Sequence, residues 1–185
     1  MNRKTEDVIL INLCKQNNAK AQMKLYDKYC DAMFAVAMRY VNDTFIAEDI
    51  IQESFIKAFQ KIDDFIIENS FGGWLKRIVI NNALDWLKQK KLNQEEFSDA
   101  HLNIEDYPDF DWQVESEASV KVICEIIEKL PDKIKVVLKL YLLEGYDHDE
   151  ISSILNITNV ASRTILHRGK QKLVAQLKEL RLCMN

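Results

Sequence analysis

Basic and polar side chains that could bind a nucleic acid are gathered in one stretch of this sequence, residues 74–91. Five lysines and arginines stand there against one aspartate, and such residues neutralise phosphates without reading a base sequence. Asn81, Asn82 and Asp85 are short polar side chains that can bond to exposed base edges. The preceding residues, 63–71, read as a loop, and Gly72 and Gly73 mark a break before the basic helix. A loop beside a basic helix can capture an unpaired base. This stretch therefore predicts a nucleic-acid contact.

A second basic region ends the chain. From Ala161 onward there are six lysines and arginines and one acidic residue, Glu179. A short helix predicted over residues 147–155, a turn at 156–158 and a longer basic helix match a helix-turn-helix motif. Glu144 and Gly145 read as the stop of the helix before this motif. In such a motif the second helix enters the major groove of DNA.

Catalytic and metal-binding chemistry finds little support. The three histidines are scattered, and the sequence has no HExxH pattern, no glycine-rich phosphate loop and no Ser/His/Asp order. His148 stands beside three acidic residues and reads as a solvated helix start rather than as a metal ligand. The four cysteines show no CxxC spacing, which argues against a zinc site or a disulfide framework. We expect no catalytic residues, no metal, no cofactor and no small-molecule substrate.

Composition favours an all-α protein, because only four glycines and two prolines occur in 185 residues. The net charge of −4 hides three charge blocks, since residues 93–117 hold nine acidic residues and no basic one. We therefore expect two small helical domains, residues 1–92 and 117–185, joined by an acidic flexible linker at 93–116. The linker's acidity could be merely solubilising, or it could suit a positively charged channel of a partner.

Membrane insertion and export are not expected. The most apolar patches are far shorter than the ~20 residues that a membrane-spanning helix needs. The first residues lead into no long apolar run, so no signal peptide is indicated. We expect the protein to reside in the cytoplasm.

Residues 47–59 predict an amphipathic helix, with Asp43 among the residues offered as its N-terminal cap. Asp49, Gln52 and Glu53 fall on the face opposite the apolar residues. A solvated charged face is the usual explanation for such a pattern, and the pattern alone does not exclude it.

The residues of this helix, AEDIIQESFIKAF, closely resemble the most characteristic segment of extracytoplasmic-function (ECF) sigma factors. These are the small promoter-specificity subunits of bacterial RNA polymerase, and in that family the helix docks onto a coiled coil of the largest polymerase subunit. The resemblance implies polymerase binding by five residues of the helix. They are Asp49, Gln52, Glu53, Phe55 and Lys57.

The stretch that follows is similar to the promoter-melting element of the same family. The matching residues are Phe65, Phe71, Trp74, Leu75, Arg77, Ile78, Asn81, Leu84, Asp85 and Leu87. From its residue type alone, a helical tryptophan packs in a core more often than it stacks on a base. The resemblance nevertheless implies that this element holds a flipped base of the minus-ten sequence and reads its upstream edge. The implied contacts are Asn69, Ser70, Phe71, Trp74, Lys76, Arg77, Asn81, Asn82, Asp85 and Lys88.

The last block resembles the family's helix-turn-helix, which reads the minus-thirty-five element. The matching residues are Glu144, Gly145, Glu150, Ile151, Ser152, Leu155, Ile157, Leu166, Arg168, Gly169 and Leu173. The implied DNA contacts are Asn159, Ser162, Arg163, His167, Arg168 and Lys170. Three features depart from the family pattern: residues 159–161 read Asn-Val-Ala instead of Glu-Gly-Thr, Ile165 replaces a polar residue, and Gly169 replaces alanine. Glycine within a helix costs up to ~1 kcal/mol relative to alanine.

The four motifs in order imply a sigma factor that binds core RNA polymerase, directs it to promoter DNA and helps to melt the minus-ten region. Residues 1–92 would then be sigma region 2, residues 93–116 a spacer in the polymerase cleft, and residues 117–185 sigma region 4. The family also implies an anti-sigma protein as a partner. Two alternatives stay open: a self-sufficient dimeric DNA-binding regulator, and a decoy that docks on polymerase but reads DNA poorly.

Overall fold

The structure, a computed structural model, describes residues 3–92 and 120–184. In these ranges every regular element is a helix, and the chain divides into two compact units within the stretch between them. The predicted all-α class with two helical regions is confirmed. The predicted linker, residues 93–116, lies outside the described residues. No helix in the described ranges is long and apolar enough to cross a lipid bilayer.

In its described part, residues 3–92, the first unit is built from four α-helices and one short turn of 3₁₀ helix. They are α1 (Arg3–Lys15), α2 (Ala19–Val41), α3 (Thr44–Gln60), the 3₁₀ turn (Ile62–Asp64) and α4 (Phe71–Leu92). Helices α2, α3 and α4 pack against one another, and α1 packs against α2. One face of α3 and one face of α4 are left outside this core.

Two neighbouring residues form the junction between α2 and α3: the first ends α2 and the second begins α3. Asn42 ends α2 in a left-handed conformation with φ of 52°, which asparagine tolerates better than most residues. Asp43 is the N-cap of α3, and its Oδ1 accepts a hydrogen bond of 3.2 Å from the backbone N–H of Ile46. The predicted cap is confirmed.

The sequence predicted a break at Gly72 and Gly73, and this prediction is wrong. Both glycines lie in the first turn of α4. A Cβ on Gly72 would stand 3.0 Å from Cε1 of Tyr29, so the missing side chain lets α4 approach the Tyr29 ring of α2 closely. Neither glycine ends a helix, and Gly72 allows α4 to pack closely against α2.

An aromatic cluster holds both ends of the loop between the 3₁₀ turn and α4. The ring centroid of Phe65 lies 5.6 Å from that of Phe71 and 5.2 Å from that of Trp74. The Phe71 ring also lies 5.3 Å from the ring of Tyr29. Such ring pairs contribute about 0.5–1.5 kcal/mol each beyond their buried area. The loop, residues 66–70, thus starts and ends on core residues.

Over residues 120–184, the second unit contains four α-helices, the second of which is extended by a π-helical turn. They are α5 (Val120–Glu128), α6 (Asp132–Leu138), the π turn (Lys139–Leu143), α7 (His148–Leu155) and α8 (Asn159–Met184). Helix α8 packs against α5, α6 and α7. The predicted stop at Gly145 is confirmed, because this residue has φ of 75° and follows the π turn directly after Glu144. Helices α7 and α8 form the predicted helix-turn-helix.

Gly169 marks the closest approach of α8 to α6. A Cβ at this position would lie 2.9 Å from Cγ2 of Ile134 and 3.0 Å from Cγ of Leu138. Both atoms belong to branched side chains near the backbone, so neither can swing away freely. The cost in helix propensity expected from the sequence is therefore outweighed by the packing that glycine permits.

Gly169→Ala should lower the melting temperature of the protein. The crowding costs about 1–3 kcal/mol and exceeds the gain of up to ~1 kcal/mol in helix propensity. A net loss of about 1 kcal/mol shifts the midpoint of a unit of this size by about 4–8 °C. Thermal unfolding followed by circular dichroism measures the shift.

Gly73→Ala is the matched control. Its Cβ would meet only Ser70 Cβ and Oγ, at 3.6 and 3.7 Å, which is ordinary contact. We expect no loss of stability for this variant. An increase in melting temperature for Gly169→Ala would contradict the close packing of α6 and α8.

Candidate functional site

Helix α3 presents a polar face to solvent, as the sequence predicted. Asp49, Gln52 and Glu53 are exposed, while Ile50 and Ile51 on the opposite face are buried. The exposed face is anchored from behind by the core, so its side chains are displayed on a rigid element.

Two large apolar residues on this exposed face were missed by the sequence analysis. Phe45 is 78% exposed and Ile56 is 57% exposed. Phe45, Asp49, Gln52 and Ile56 follow one another at intervals of four, three and four residues, so they form one line along the helix. We call this line with Glu53 the α3 face. The exposure of Ile56 could have been predicted from the sequence, because this residue lies outside the apolar face of the predicted helix.

Phe55 and Lys57, both expected to contact a partner, are placed elsewhere. Phe55 is buried, with its ring centroid 4.7 Å from that of Tyr26, so the expectation of a surface role is corrected. Lys57 lies at the border with α4, where its Nζ donates to Asn82 Oδ1 at 2.7 Å and pairs with Glu53 Oε1 at 2.7 Å. Phe55 supports the α3 face from within, and Lys57 connects it to α4.

Asn82 was expected to contact DNA, but the structure places it in the core. Its side chain is buried, and Nδ2 donates a 2.7 Å hydrogen bond to Ser54 Oγ. Ser54 Oγ in turn donates to the backbone carbonyl of Ile50 at 2.6 Å. Both groups of the Asn82 amide are thereby used in joining α4 to α3, which leaves its expected base contact without support.

The exposed face of α4 carries a polar stripe. Arg77, Asn81, Asp85 and Lys88 are all exposed and follow one another at intervals of four, four and three residues. Asp85 Oδ1 lies 3.6 Å from Lys88 Nζ. Lys76 is half-buried and lies beside the stripe, not in it. Four of the residues predicted to face DNA therefore share one surface, which we call the α4 stripe.

The loop at residues 66–70 is exposed, but Phe71, the expected base-contacting residue that directly follows it, is not. Asn69 and Ser70 lie on the surface, and Ser70 Oγ accepts a 3.3 Å bond from the N–H of Gly73. Phe71 is buried, so it supports the loop and does not line an open pocket. Ile66 and Ile67 are exposed apolar residues that the sequence analysis missed. They follow Phe65 in a segment without helical period, where an apolar residue has no core to face.

Trp74 is half-buried within the aromatic cluster, beside Phe65 and Phe71. Its core contacts agree with the usual role of a helical tryptophan. The part of the ring that remains accessible adjoins the start of α4. Trp74 therefore supports the loop and borders the surface at once.

In α8, the predicted contact residues divide between the surface and the core. Arg163, His167 and Lys170 are partly exposed at intervals of four and three residues, and we call them the α8 face. Arg168 is partly exposed on the flank of this line. Ile165 is buried, which explains why a polar residue is absent at that position. The three residues of the α8 face are presented together.

Ser162 is fully buried, and its expected DNA contact is corrected. Its Oγ lies 2.9 Å from Nδ1 of His148 on α7. His148 is itself buried, with its ring centroid 5.4 Å from that of Tyr141, so the interpretation as a solvated helix start is wrong. The pair joins the two helices of the motif. A hydroxyl that is fully buried cannot meet a substrate, although it lies beside an imidazole.

Two of the thiols in the described ranges have shifted acidities. Burial raises the pKa of Cys14, and burial followed by the neighbouring Asp31 carboxylate raises the pKa of Cys30. Both groups are therefore protonated at neutral pH, which makes them poor nucleophiles and poor metal ligands.

Comparison with known domain families gives two matches in chain order. The family described as Sigma-70 region 2 matches residues 25–92, and the family described as Sigma-70, region 4 matches residues 122–173. The first range includes the α3 face, the loop and the α4 stripe. The second ends within α8, beyond its exposed basic face.

Relatives that match over nearly the whole chain are also described as sigma factors. The ECF RNA polymerase sigma factor SigW of Bacillus subtilis is 32% identical, over 92% of this chain and 96% of its own. The ECF RNA polymerase sigma-E factor of Haemophilus influenzae is 27% identical, over 94% and 96%.

Two solved structures share the fold. CnrH, solved with the cytosolic domain of CnrY, has a TM-score of 0.56 at 20% identity and covers 94% of this chain and 98% of its own. The sigma factor RpoE of Bartonella quintana, solved with the anti-sigma factor NepR, has a TM-score of 0.55 at 16% identity and covers 84% and 96%.

Asn82→Ala and Asn81→Ala should behave differently although the residues are neighbours. Asn82→Ala removes a partner of the buried Ser54 hydroxyl and one of the two partners of the partly exposed Lys57, which costs about 1–3 kcal/mol. Asn81→Ala changes an exposed side chain, and its effect on stability should stay within about 0.5 kcal/mol. Urea unfolding of the two variants measures the difference, and equal stabilities would contradict the buried position of Asn82.

Proposed function

The chain belongs to the ECF sigma factors of bacterial RNA polymerase, and from that membership we propose which of its surfaces contact polymerase and which contact promoter DNA. As a sigma factor the protein binds core RNA polymerase and directs it to promoters. Residues 1–92 act as sigma region 2 and residues 117–185 as sigma region 4, with residues 93–116 as the spacer. The two family matches, at residues 25–92 and 122–173, support these bounds. The observation that carries the proposal is the α3 face, which combines exposed apolar and acidic residues on a rigid helix.

The α3 face is the polymerase-docking surface. Protein interfaces place apolar anchors among polar groups, and Phe45 and Ile56 are large apolar side chains exposed to water in the free protein. Asp49 and Glu53 add negative charge, so a basic surface on the polymerase is the complementary partner. Gln52 lies between the two apolar residues and can bond across the interface. Phe55 contributes by holding the helix in place, and Lys57 by orienting Glu53.

The α4 stripe and the preceding loop contact the minus-ten element. Arg77 and Lys88 are suited to phosphates, and Asn81 and Asp85 to base edges. Lys76 adds positive charge at the side of the stripe. An unpaired base taken out of the stack needs a pocket with polar groups and an apolar wall. Asn69 and Ser70 supply polar groups next to the exposed Ile66 and Ile67, and this exposure supports a role of the loop in melting.

The α8 face contacts the minus-thirty-five element from the major groove. The second helix of a helix-turn-helix enters this groove with its N-terminal residues toward the bases. All four of these residues lie in the first half of α8: Arg163 and His167 are suited to base edges, and Arg168 and Lys170 to phosphates. Ser162 holds α8 to α7 and makes no direct contact.

The relatives are sigma factors, a family of non-enzymatic transcription initiation factors, and we extend this property to the present chain. A serine and a histidine lie within hydrogen-bond distance of each other at Ser162 and His148, but the serine is fully buried. The protein then needs no catalytic residues, cofactor, metal or small-molecule substrate of its own. It works in the cytoplasm, where polymerase and chromosome meet, without inserting into a membrane. An anti-sigma protein is proposed as its regulatory partner.

Ile56→Ala should weaken binding to core polymerase about ten-fold, because truncating an apolar anchor that becomes buried on binding costs more than about 1 kcal/mol. The double variant Asp49→Ala/Glu53→Ala should weaken binding and also reduce its dependence on salt. Displacement of a labelled wild-type protein from bacterial core polymerase measures both effects.

Met23→Ala is the matched control for the docking experiment. Met23 is 60% exposed on α2, close to the exposure of Ile56, but lies outside the α3 face. Its substitution should leave polymerase affinity unchanged. Equal affinities of the Ile56 and Met23 variants would contradict the docking surface.

Arg77→Ala and Asn81→Ala should separate the two kinds of contact on the α4 stripe. Loss of a phosphate contact by Arg77→Ala should weaken promoter binding uniformly and reduce the salt slope by about 1. Loss of a base contact by Asn81→Ala should relax the preference at one position and leave the salt slope unchanged. Transcription by the reconstituted holoenzyme from templates randomised in the minus-ten element tests both. Lys24→Ala, a change of an exposed lysine on α2, is the control that should have neither effect.

A further inference from the structure

Asn159, the first residue of α8, makes two side-chain hydrogen bonds that connect both helices of the helix-turn-helix. Its Nδ2 donates to Asp149 Oδ1 on α7 at 2.6 Å. Its Oδ1 accepts from Nε of Arg163, one turn further along α8, at 2.9 Å. A continuous chain of hydrogen bonds therefore runs from Asp149 through Asn159 to Arg163.

The direction of the Asn159 amide is fixed by its partners. A carboxylate can only accept and a guanidinium can only donate, so the amide must turn its NH₂ to Asp149 and its oxygen to Arg163. Both bonds involve an ionised partner, which makes them stronger than bonds between neutral groups. Asn159 was expected from the sequence to contact DNA directly. Its geometry instead directs both of its groups toward neighbouring side chains.

The acidic residues around His148 have separate tasks, which the sequence alone could not distinguish. Asp147 is the N-cap of α7 and accepts from the backbone N–H of Glu150 at 2.8 Å. Glu150 completes the capping box by accepting from the backbone N–H of Asp147 at 3.1 Å. Asp149 is thus the one of these three whose carboxylate bonds to α8. An exposed acid close to a DNA-binding helix is unfavourable near phosphates, so its position calls for a compensating role.

The bond at Nε restricts Arg163 in a way that matters for base reading. An arginine side chain loses rotamer entropy when it is ordered, and a side chain that is already held loses less on binding. A bond to Nε fixes the plane of the guanidinium, and this planar fork is the group that pairs with O6 and N7 of guanine. Arg163 also lies within the first two turns of α8, where base contacts of a helix-turn-helix are made.

We infer that Asp149 and Asn159 are positioning residues that hold Arg163 for the reading of a guanine in the minus-thirty-five element. The inference rests on the proposed function of the α8 face. Specificity at this base is set jointly by α7 and α8: Arg163 contacts the base, Asn159 orients the guanidinium, and Asp149 orients Asn159. The unusual Asn at position 159 is then a determinant of the sequence that is read.

The test is transcription by holoenzyme reconstituted with bacterial core polymerase on a template pool randomised in the minus-thirty-five element. Sequencing of the transcribed templates gives base preference at each position as a ratio within one reaction. A loss of folded protein lowers total transcription but does not move this ratio. Arg163→Ala should reduce the preference for guanine at one position about ten-fold. Asn159→Ala and Asp149→Ala should reduce it several-fold at the same position.

Two controls separate the hydrogen-bond chain from general effects. Asp149→Asn keeps an oxygen that accepts from Asn159 Nδ2 and should retain the preference. Val160→Ala changes the neighbouring exposed residue, outside the chain of bonds, and should also retain it. The double variant Asn159→Ala/Arg163→Ala should show no further loss than Arg163→Ala alone.

The outcomes distinguish the inference from the proposal on which it rests. Loss of preference with Arg163→Ala but not with Asn159→Ala or Asp149→Ala would overturn the positioning roles and leave the α8 face intact. Equal behaviour of Asp149→Asn and Asp149→Ala would overturn the hydrogen-bond chain. Unchanged preferences with Arg163→Ala would overturn the guanine contact. Absence of any core-dependent transcription by the wild-type chain would overturn the proposed function itself.

Discussion

The buried hydrogen bond from Asn82 to Ser54 sets the rotation of α4 against α3, and both outer surfaces of the first unit depend on that rotation. Turning α4 by one residue, about 100°, would carry the α4 stripe toward the core. A buried amide without its partner costs about 1–3 kcal/mol, so the alternative rotation is strongly disfavoured. Hydrophobic burial alone is not directional and would tolerate small rotations. The polar pair supplies the specificity that the surrounding apolar contacts lack.

The first unit presents two different surfaces on neighbouring helices. The α3 face has apolar residues at its two ends, Phe45 and Ile56, and polar and acidic residues between them, whereas the α4 stripe carries both charges. Lys57 stands between them and bonds to Glu53 on one side and to Asn82 on the other. The net charge of −4 therefore describes neither surface. Charge matters here at the scale of single helix faces, because screening limits its reach to about 8–10 Å.

The sequence predicted the helical class, the Asp43 cap, the Gly145 stop and the helix-turn-helix, because each depends on local residue type and spacing. It could not rank neighbouring residues within a helix. Asn81 and Asn82 are identical in type, and only the position of Ser54 on another helix decides which is buried. Ser162 was misplaced for the same reason, since its partner His148 belongs to α7. The role of Gly72 likewise depends on the Tyr29 ring, 43 positions earlier in the chain.

The aromatic cluster has a consequence for how this protein can change over evolutionary time. The rings of Phe65 and Phe71, whose centroids are 5.6 Å apart, hold the two ends of the loop at residues 66–70 together. Because this pair of rings belongs to the core, the residues between Phe65 and Phe71 can be replaced without disturbing α4. Even doubling the length of a flexible loop adds only about 0.6 kcal/mol to its closure cost. The minus-ten contacts proposed for this loop can therefore change by substitution and insertion, at little expense to the stability of the fold that carries it.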